Sequence, residues 1–235
     1  MFPVDNGRWT ALEALAEPRR RAVFAFASAA EEAVSRDDVA AAVGMSRPLA
    51  AHHLDRLVDA GLLVVTFARP PGRRGPGAGR PAKRYSPART ETAISVPPRR
   101  YDLAARIFAR ALTAGAQPAG TDPAGAVAVV AADEGRAEGR VHAGTRALGV
   151  DATLAGAARV LDELGYTPER TRRCVRLRNC PFHGILDVAP ELMCGANHAF
   201  VTGLLAGLGG SPRVGAVLDP QPGPGCCVRL EAASP

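Results

Sequence analysis

The sequence predicts an α+β fold in two parts: a helix-turn-helix backed by a strand pair, then a mixed helix–strand half reached through a linking helix. Three observations predict it. Residues 35–63 (SRDDVAAAVGMSRPLAAHHLDRLVDAGLL) place apolar residues at helical spacing on both sides of a glycine turn. Residues 69–89 are rich in Gly, Pro and Arg and fall where two short strand-like runs leave a gap. From residue 170 onward, strand-like runs bracket one long apolar helix, and all five cysteines lie there. With 235 residues the chain has room for one large or two modest domains.

Taken in order, Trp9 to Ala16 reads as a short helix with Trp9, Leu12 and Leu15 on one face. Pro18 opens the next, where its missing N–H costs little, with Ala22, Val23 and Phe26 inward. Ser35 suits an N-cap, because its hydroxyl accepts from free backbone N–H groups, and Asp37 and Asp38 complement the helix dipole. Val39, Ala42 and Val43 form a small apolar face, and Gly44 supplies the left-handed residue that ends the helix. Ser46 caps the second helix and Pro48 sits in its first turn. Ala50, Leu54, Leu57 and Val58 point inward, leaving Arg47, Ala51, His52, Asp55 and Arg56 outward. Gly61 ends this helix, Leu62–Ala68 is strand-like, and Lys83–Tyr85 is its return.

Helix, Gly-Met turn, Ser-Arg-Pro, His52-His53-Leu54 and Asp59-Ala60-Gly61-Leu62-Leu63, preceded by Leu15-Ala16-Glu17-Pro18-Arg19-Arg20-Arg21, closely resemble the winged-helix repressors of the ArsR type. The resemblance implies a winged helix-turn-helix whose second helix enters the major groove of duplex DNA and a homodimer that binds two half-sites. Arg47, Ala51, His52 and Arg56 would face bases or phosphates, and Ser46 could contact the backbone. The stretch from Arg69 to Arg89 holds Arg69, Arg73, Arg74, Arg80, Lys83, Arg84 and Arg89 and no acid. A Gly-Arg-Pro triplet at 79–81 resembles minor-groove hooks, so Arg73, Arg74 and Arg80 are expected to anchor a wing; the alternative is a solvated linker. Charge agrees: residues 1–90 carry 14 basic and 9 acidic side chains, residues 91–235 carry 15 and 14.

Pro97 and Pro98 close this part. Arg99 to Ala114 is amphipathic, with Tyr101, Ala104, Ile107, Phe108, Ala111 and Leu112 on one side; a dimer seam and a core-facing helix would look alike. Residues 114–123 read as a loop, Ala124 to Leu148 as a long Ala- and Gly-rich helix, and Asp151 as the cap of a helix with Leu154, Ala158, Leu161 and Leu164 inward. The expected domains are 1–90, a linking and dimerising segment 91–118, and a cysteine-bearing domain 119–235. No apolar run approaches the roughly 18 residues of a membrane span, and the N-terminus lacks a secretory pattern, so no membrane partner and a cytoplasmic location are expected.

In that compartment thiols stay reduced, and Cys174, Cys180, Cys194, Cys226 and Cys227 point to metal or redox chemistry. Arg173–Arg178 alternates like a strand, with Cys174, Arg176 and Arg178 on one face, and runs into the turn-forming Asn179–His183. Pro190 starts a helix with Met193, Phe200, Val201, Leu204, Leu205 and Leu208 inward; Cys194 and His198, four apart, share a face. Val214–Leu218 and Cys226–Leu230 read as strands, and alternation would send Cys226 and Cys227 to opposite faces.

The segments LRNCPFH, PELMCGANHAFVTGLLAGLG and PGPGCCVRL resemble the sensor half of the iron–sulfur biogenesis repressors called SufR and their actinobacterial relatives. The resemblance implies an iron–sulfur cluster that controls DNA affinity, with Cys180, Cys194 and Cys226 as ligands. The fourth is open between Cys227, Cys174, His183 and an external group. Zinc on the same thiols, or buried cysteines around an apolar effector, are alternatives. A thiol oxidoreductase is a remote one, since no Cys-x-x-Cys pair exists; the expectation is a regulator, a repressor in sign, and not an enzyme.

Overall fold

A computed structural model of the protein describes residues 6–68, 81–114, 122–145, 148–219 and 225–233. It is a mixed α+β structure with two small antiparallel sheets among the described residues. The chain divides into two compact units, residues 4–94 and 95–235.

The N-terminal unit begins with α1 (Asn6–Ala16) and α2 (Pro18–Ala29). Glu17 caps α2, its carboxylate accepting from the N–H groups of Arg19 and Arg20. On α1 the small residues Ala11 and Ala14 are buried, whereas Trp9 and Leu12 are exposed. On α2, Val23 and Ala27 are buried and Ala22 is exposed.

Helix α3 (Arg36–Val43) is fastened by a reciprocal capping box. The Ser35 hydroxyl accepts from Asp37 and Asp38 N–H at 3.2 Å each, and the Asp38 carboxylate accepts from Ser35 N–H at 2.8 Å. Val39 is its buried residue, while Ala42 faces out. Gly44, at φ 68°, turns the chain into α4 (Arg47–Asp59), capped by Ser46. Ala50, His53, Leu54 and Leu57 of α4 are buried. Strands β1 (Leu63–Ala68) and β2 (Ala82–Pro87) then pair antiparallel from Leu63↔Pro87 to Ala68↔Ala82. An isolated bridge joins Val34, ahead of α3, to Tyr85, so the hairpin base closes over a core of Val23, Val39, Leu54, Leu57, Leu63 and Tyr85.

The C-terminal unit contains α5 (Tyr101–Ala114), α6 (Pro123–Val141), α7 (Val150–Glu163) and α8 (Pro190–Gly207). Its sheet has the order β3 (Pro168–Arg170), β4 (Cys174–Leu177), β6 (Val228–Ala232), β5 (Val214–Leu218), every pair antiparallel. Alternation gives the sheet one apolar face (Val175, Leu177, Val214, Val228, Leu230) and one charged face bearing Arg176, Arg229 and Glu231. Helix α5 sends Leu103, Ala104, Ile107 and Ala111 into the core of this unit, while Tyr101 and Leu112, counted on the same apolar side, are exposed. Gly149 rather than Asp151 occupies the N-cap of α7, with no side-chain bond, and Asp151 lies in its first turn.

Helices α6 and α8 make the tightest packing in the molecule. A Cβ on Gly203 would stand 2.0 Å from the Ala132 carbonyl oxygen, and one on Gly207 2.2 Å from that of Arg136. Gly135 and Gly139 meet the Phe200 and Leu204 carbonyls in the same way, at 1.9 and 2.3 Å. Partner numbers rise together on both helices, so the two run parallel with backbones in contact, a closeness only residues without side chains permit. This fixes α8, and α8 carries Cys194 and Asn197.

Candidate functional site

The residues singled out in the N-terminal unit sit as follows. Ser46 accepts from Leu49 N–H at 3.4 Å and is spent on capping. Arg47, His52 and Arg56 are exposed along α4, and Ala51 is half-buried beside them. Arg47 forks onto the Asp37 carboxylate of α3, both partners largely in solvent. Asp55 is the latch between α4 and the hairpin: its carboxylate accepts from Lys83 Nζ at 2.8 Å and from the Tyr85 hydroxyl at 3.0 Å. Burial pushes this carboxyl up, and the two hydrogen bonds outweigh it and hold it below the ordinary value. Arg84 pairs with Asp38 at 3.2 Å. Arg73, Arg74 and Arg80 lie outside the described residues.

The cysteines divide into two sets. Cys174 lies on β4 beside Arg176 and opposite Glu231, on the charged face of the sheet. It is therefore turned away from the apolar face, and burial with the Glu231 charge raises its thiol. His183, named with it as a possible fourth ligand, is exposed at the start of a short 3-10 turn, His183–Ile185. Neither belongs to the buried thiol group.

The other four converge on the apolar side. Cys226 is in hydrogen-bonding contact with Cys180 and with Cys227, and Cys227 with Cys194. The expectation that Cys226 and Cys227 diverge fails because β6 begins only at Val228. The two cysteines occupy the irregular approach to the strand, where period-two alternation does not apply, and both are buried. Cys226 N–H donates to the Leu177 carbonyl at 2.8 Å, and the Cys227 carbonyl accepts from Asp219 N–H at 2.6 Å, so the approach is pinned to β4 on one side and to the end of β5 on the other.

Cys180 is brought in by a turn that Asn179 staples. The Asn179 amide donates to the carbonyls of Gly165 (2.5 Å) and Pro98 (3.0 Å) and accepts from Arg99 Nη1 (2.6 Å). Arg100 N–H donates to the Pro181 carbonyl at 3.0 Å. Thus the residues just after the junction between the two units hold the turn that carries Cys180.

Two residues with no motif to announce them complete the site. Asn197, 1 % exposed and one turn after Cys194, donates from Nδ2 to Cys226 Sγ at 3.1 Å, with Cys227 Sγ at 4.0 Å. Its Oδ1 accepts from the buried Tyr166 hydroxyl at 2.7 Å. Phe182 packs edge-on against the Tyr166 ring, closing the apolar wall. The i, i+3 spacing of Asn197 from Cys194 was the available signal; Tyr166 offered none.

Electrostatically the four thiols alternate. The hydrogen bond from Cys226 holds Cys180 and Cys227 below the ordinary thiol value, Cys227 down to about 6. Cys226, the shared donor, is pushed up by those same bonds and by burial, and burial with the bond to Cys227 pushes Cys194 up to about 12. Burial also raises Tyr166, which therefore stays a hydroxyl able to donate.

A donor set of four soft sulfurs from three chain segments, with N–H groups aimed at sulfur, fits thiolate coordination of iron or zinc. Among the described residues no three His, Cys, Asp or Glu side chains meet closely enough to hold a single ion as they stand. The thiols form a hydrogen-bonded chain rather than a ring about one point. A cavity of about 510 Å³ lined by Arg176, Arg178, Arg229, Glu231 and Cys226 opens beside the group. No helix among the described residues is long and apolar enough to cross a membrane. No protein-family model matches the chain, nor does any curated protein or any solved structure.

Proposed function

We propose that the protein is a DNA-binding transcriptional regulator, acting as a homodimer, whose affinity for its operator is set by an iron–sulfur cluster. The single observation that carries the sensing half is the gathering of the buried Cys180, Cys226 and Cys227 and the half-buried Cys194 into one hydrogen-bonded group. These four are the proposed ligands. Cys227 fills the fourth place that the resemblance to the SufR repressors leaves open. When bound, the cluster supplies redox and ligand-exchange chemistry sensitive to oxidants and iron supply.

The DNA-binding half is supported by α3, the Gly44 turn, α4 and the hairpin β1–β2, which follow the order of a winged helix-turn-helix, and by the positive balance of residues 1–90. Helix α4 would enter the major groove with Arg47, His52 and Arg56 outward. Arg47 would exchange its Asp37 partner for DNA.

Regulation would run through the Asn179 staple. Cluster loss removes what holds the Cys180 turn to Cys194 and Cys226, and that turn is tied to Pro98, Arg99 and Arg100 directly after the last residue of the N-terminal unit. Loosening there alters the freedom of the two DNA-binding units of a dimer.

The deciding experiment is a visible spectrum of protein purified without oxygen, with iron and acid-labile sulfide assayed on the same sample and operator affinity measured before and after cluster removal. Brown protein whose colour and iron vanish when all four cysteines become Ser, and whose affinity differs between the two states, is the expected result. Equal affinities in both states overturn the regulatory reading. Colourless protein holding zinc moves the assignment to a zinc-bearing regulator, since four thiolates suit that ion equally.

A further inference from the structure

Asn197 is one of few buried polar side chains in its unit, and the structure gives it a complete set of partners. Its amide has one acceptor oxygen and two N–H donors. The oxygen is taken by the Tyr166 hydroxyl at 2.7 Å, and the donors face Cys226 Sγ at 3.1 Å and Cys227 Sγ at 4.0 Å. Tyr166 and Asn197 are both 1 % exposed, so water does not substitute for any of these bonds.

The orientation is forced once a metal arrives. Metal-bound thiolates have lost their protons and only accept, so the NH₂ side must face sulfur and the oxygen must face the tyrosine. Tyrosine is the right partner there because its hydroxyl can donate to the amide oxygen. A leucine of similar volume would fill the space and supply no donor.

We propose that Asn197, oriented by Tyr166, is a positioning residue that turns the vicinal Cys226 and Cys227 sulfurs toward one metal and donates N–H···S hydrogen bonds to them in the loaded site. This rests on the reading of the four thiols as ligands. The donor stabilises negative charge on sulfur and therefore favours the reduced state of a bound cluster.

The test compares wild type, Asn197→Leu and Tyr166→Phe as full-length chains. Metal-free proteins are titrated with Cd²⁺, followed by the sulfur-to-cadmium charge-transfer absorbance. Samples reconstituted with ferrous iron and sulfide are titrated for reduction potential. Both variants are expected to bind Cd²⁺ roughly 10- to 100-fold more weakly, the usual effect of losing an outer partner of a metal ligand. Their cluster potentials are expected to move to more negative values. Mere loosening of the site would admit water and move the potential the other way, so a positive shift overturns the proposal, as does unchanged Cd²⁺ affinity. If Asn197→Leu does not fold, Tyr166→Phe, which keeps the ring and frees the amide, decides alone. If wild type takes up no cluster, the sensing assignment fails, while the Cd²⁺ arm still supports or overturns the role of Asn197.

Discussion

The two units place their most deeply buried polar side chains in different settings, although each also leaves one further polar atom buried without a hydrogen bond, Thr167 Oγ1 in the C-terminal unit and Arg20 Nε in the N-terminal one. In the C-terminal unit Asn197 and Thr153 are buried and fully used: Asn197 bridges Tyr166 and two thiols, and Thr153 donates to the Gly149 carbonyl and accepts from Ser211 N–H. In the N-terminal unit His53 is buried with neither ring nitrogen hydrogen-bonded, the Glu17 carboxylate standing 3.7 Å away. The N-terminal unit carries its caps and ion pairs at the surface, whereas the C-terminal unit encloses an amide beside two thiols. Under the proposed function the first arrangement would suit a reading surface and the second a protected chemical site.

The comparison is broken most violently at the α6–α8 contact. Gly203→Ala places a methyl group 2.0 Å from the Ala132 carbonyl oxygen, where backbone cannot yield, and the helix bearing Cys194 and Asn197 must move away. A loss of about 3 kcal/mol in denaturant unfolding is expected for this overpacking, with the Cys194 thiol becoming reactive toward alkylating agents. Stability equal to wild type would mean that the two helices are not in backbone contact.

The matching cut in the N-terminal unit is Asp55→Ala. It strands the hydroxyl of Tyr85, a residue only 2 % exposed, and removes the Lys83 anchor. About 2 kcal/mol is expected from leaving a buried donor unpaired. Tyr85→Phe in the same chain should recover most of it, because the orphan is then gone; a double variant no better than the single would refute the latch. Ser35→Ala is smaller. It removes one side of the capping box and is expected to cost about 1 kcal/mol in thermal unfolding of this unit.

The same contrast explains what could be read from the chain alone. The N-terminal unit is written in local signals. Ser35, Gly44 and Ser46 act on the next few residues, and β1 pairs with β2 through the nearest available hairpin. The misses there are of single positions on a face: Ala22 and Ala42, counted on the apolar sides of α2 and α3, are exposed, while Val23, Ala27 and Val39 carry the burial. In the C-terminal unit the cysteine concentration points to metal or redox chemistry and the resemblance to the SufR repressors singles out Cys180, Cys194 and Cys226, but their surroundings are made by distant pairings. Asn197 meets Tyr166 across 31 residues and Cys226 across 29, and no periodicity encodes such meetings. Cys227 was misplaced for a local reason: extending β6 by two residues imposed an alternation the chain does not have there.

The least of the expected effects, and the one that isolates the unpaired His53 ring of the N-terminal unit, is a pH dependence. Burial lowers the pKa of His53 below its ordinary 6.5; the Glu17 carboxylate pulls it up, and His52, Arg20 and Arg19 push it down again. A histidine whose folded-state pKa is depressed binds fewer protons than the unfolded chain as pH falls below 6.5. By linkage, its contribution is fully present above that value and is lost as pH drops through the folded-state pKa. Unfolding of this unit is therefore expected to move to lower denaturant between pH 7 and pH 5, and His53→Leu, which keeps the volume and removes the titration, should flatten that slope. An unchanged slope in the variant would show that His53 is not the titrating group, since the Asp38 carboxylate, held below its ordinary value by the Ser35 backbone N–H and the Arg84 guanidinium, is lost only at lower pH. The two groups separate by pH: His53→Leu alters the slope between pH 7 and pH 5, whereas Asp38→Asn weakens the cap at neutral pH and removes a loss that sets in only in the carboxylate range.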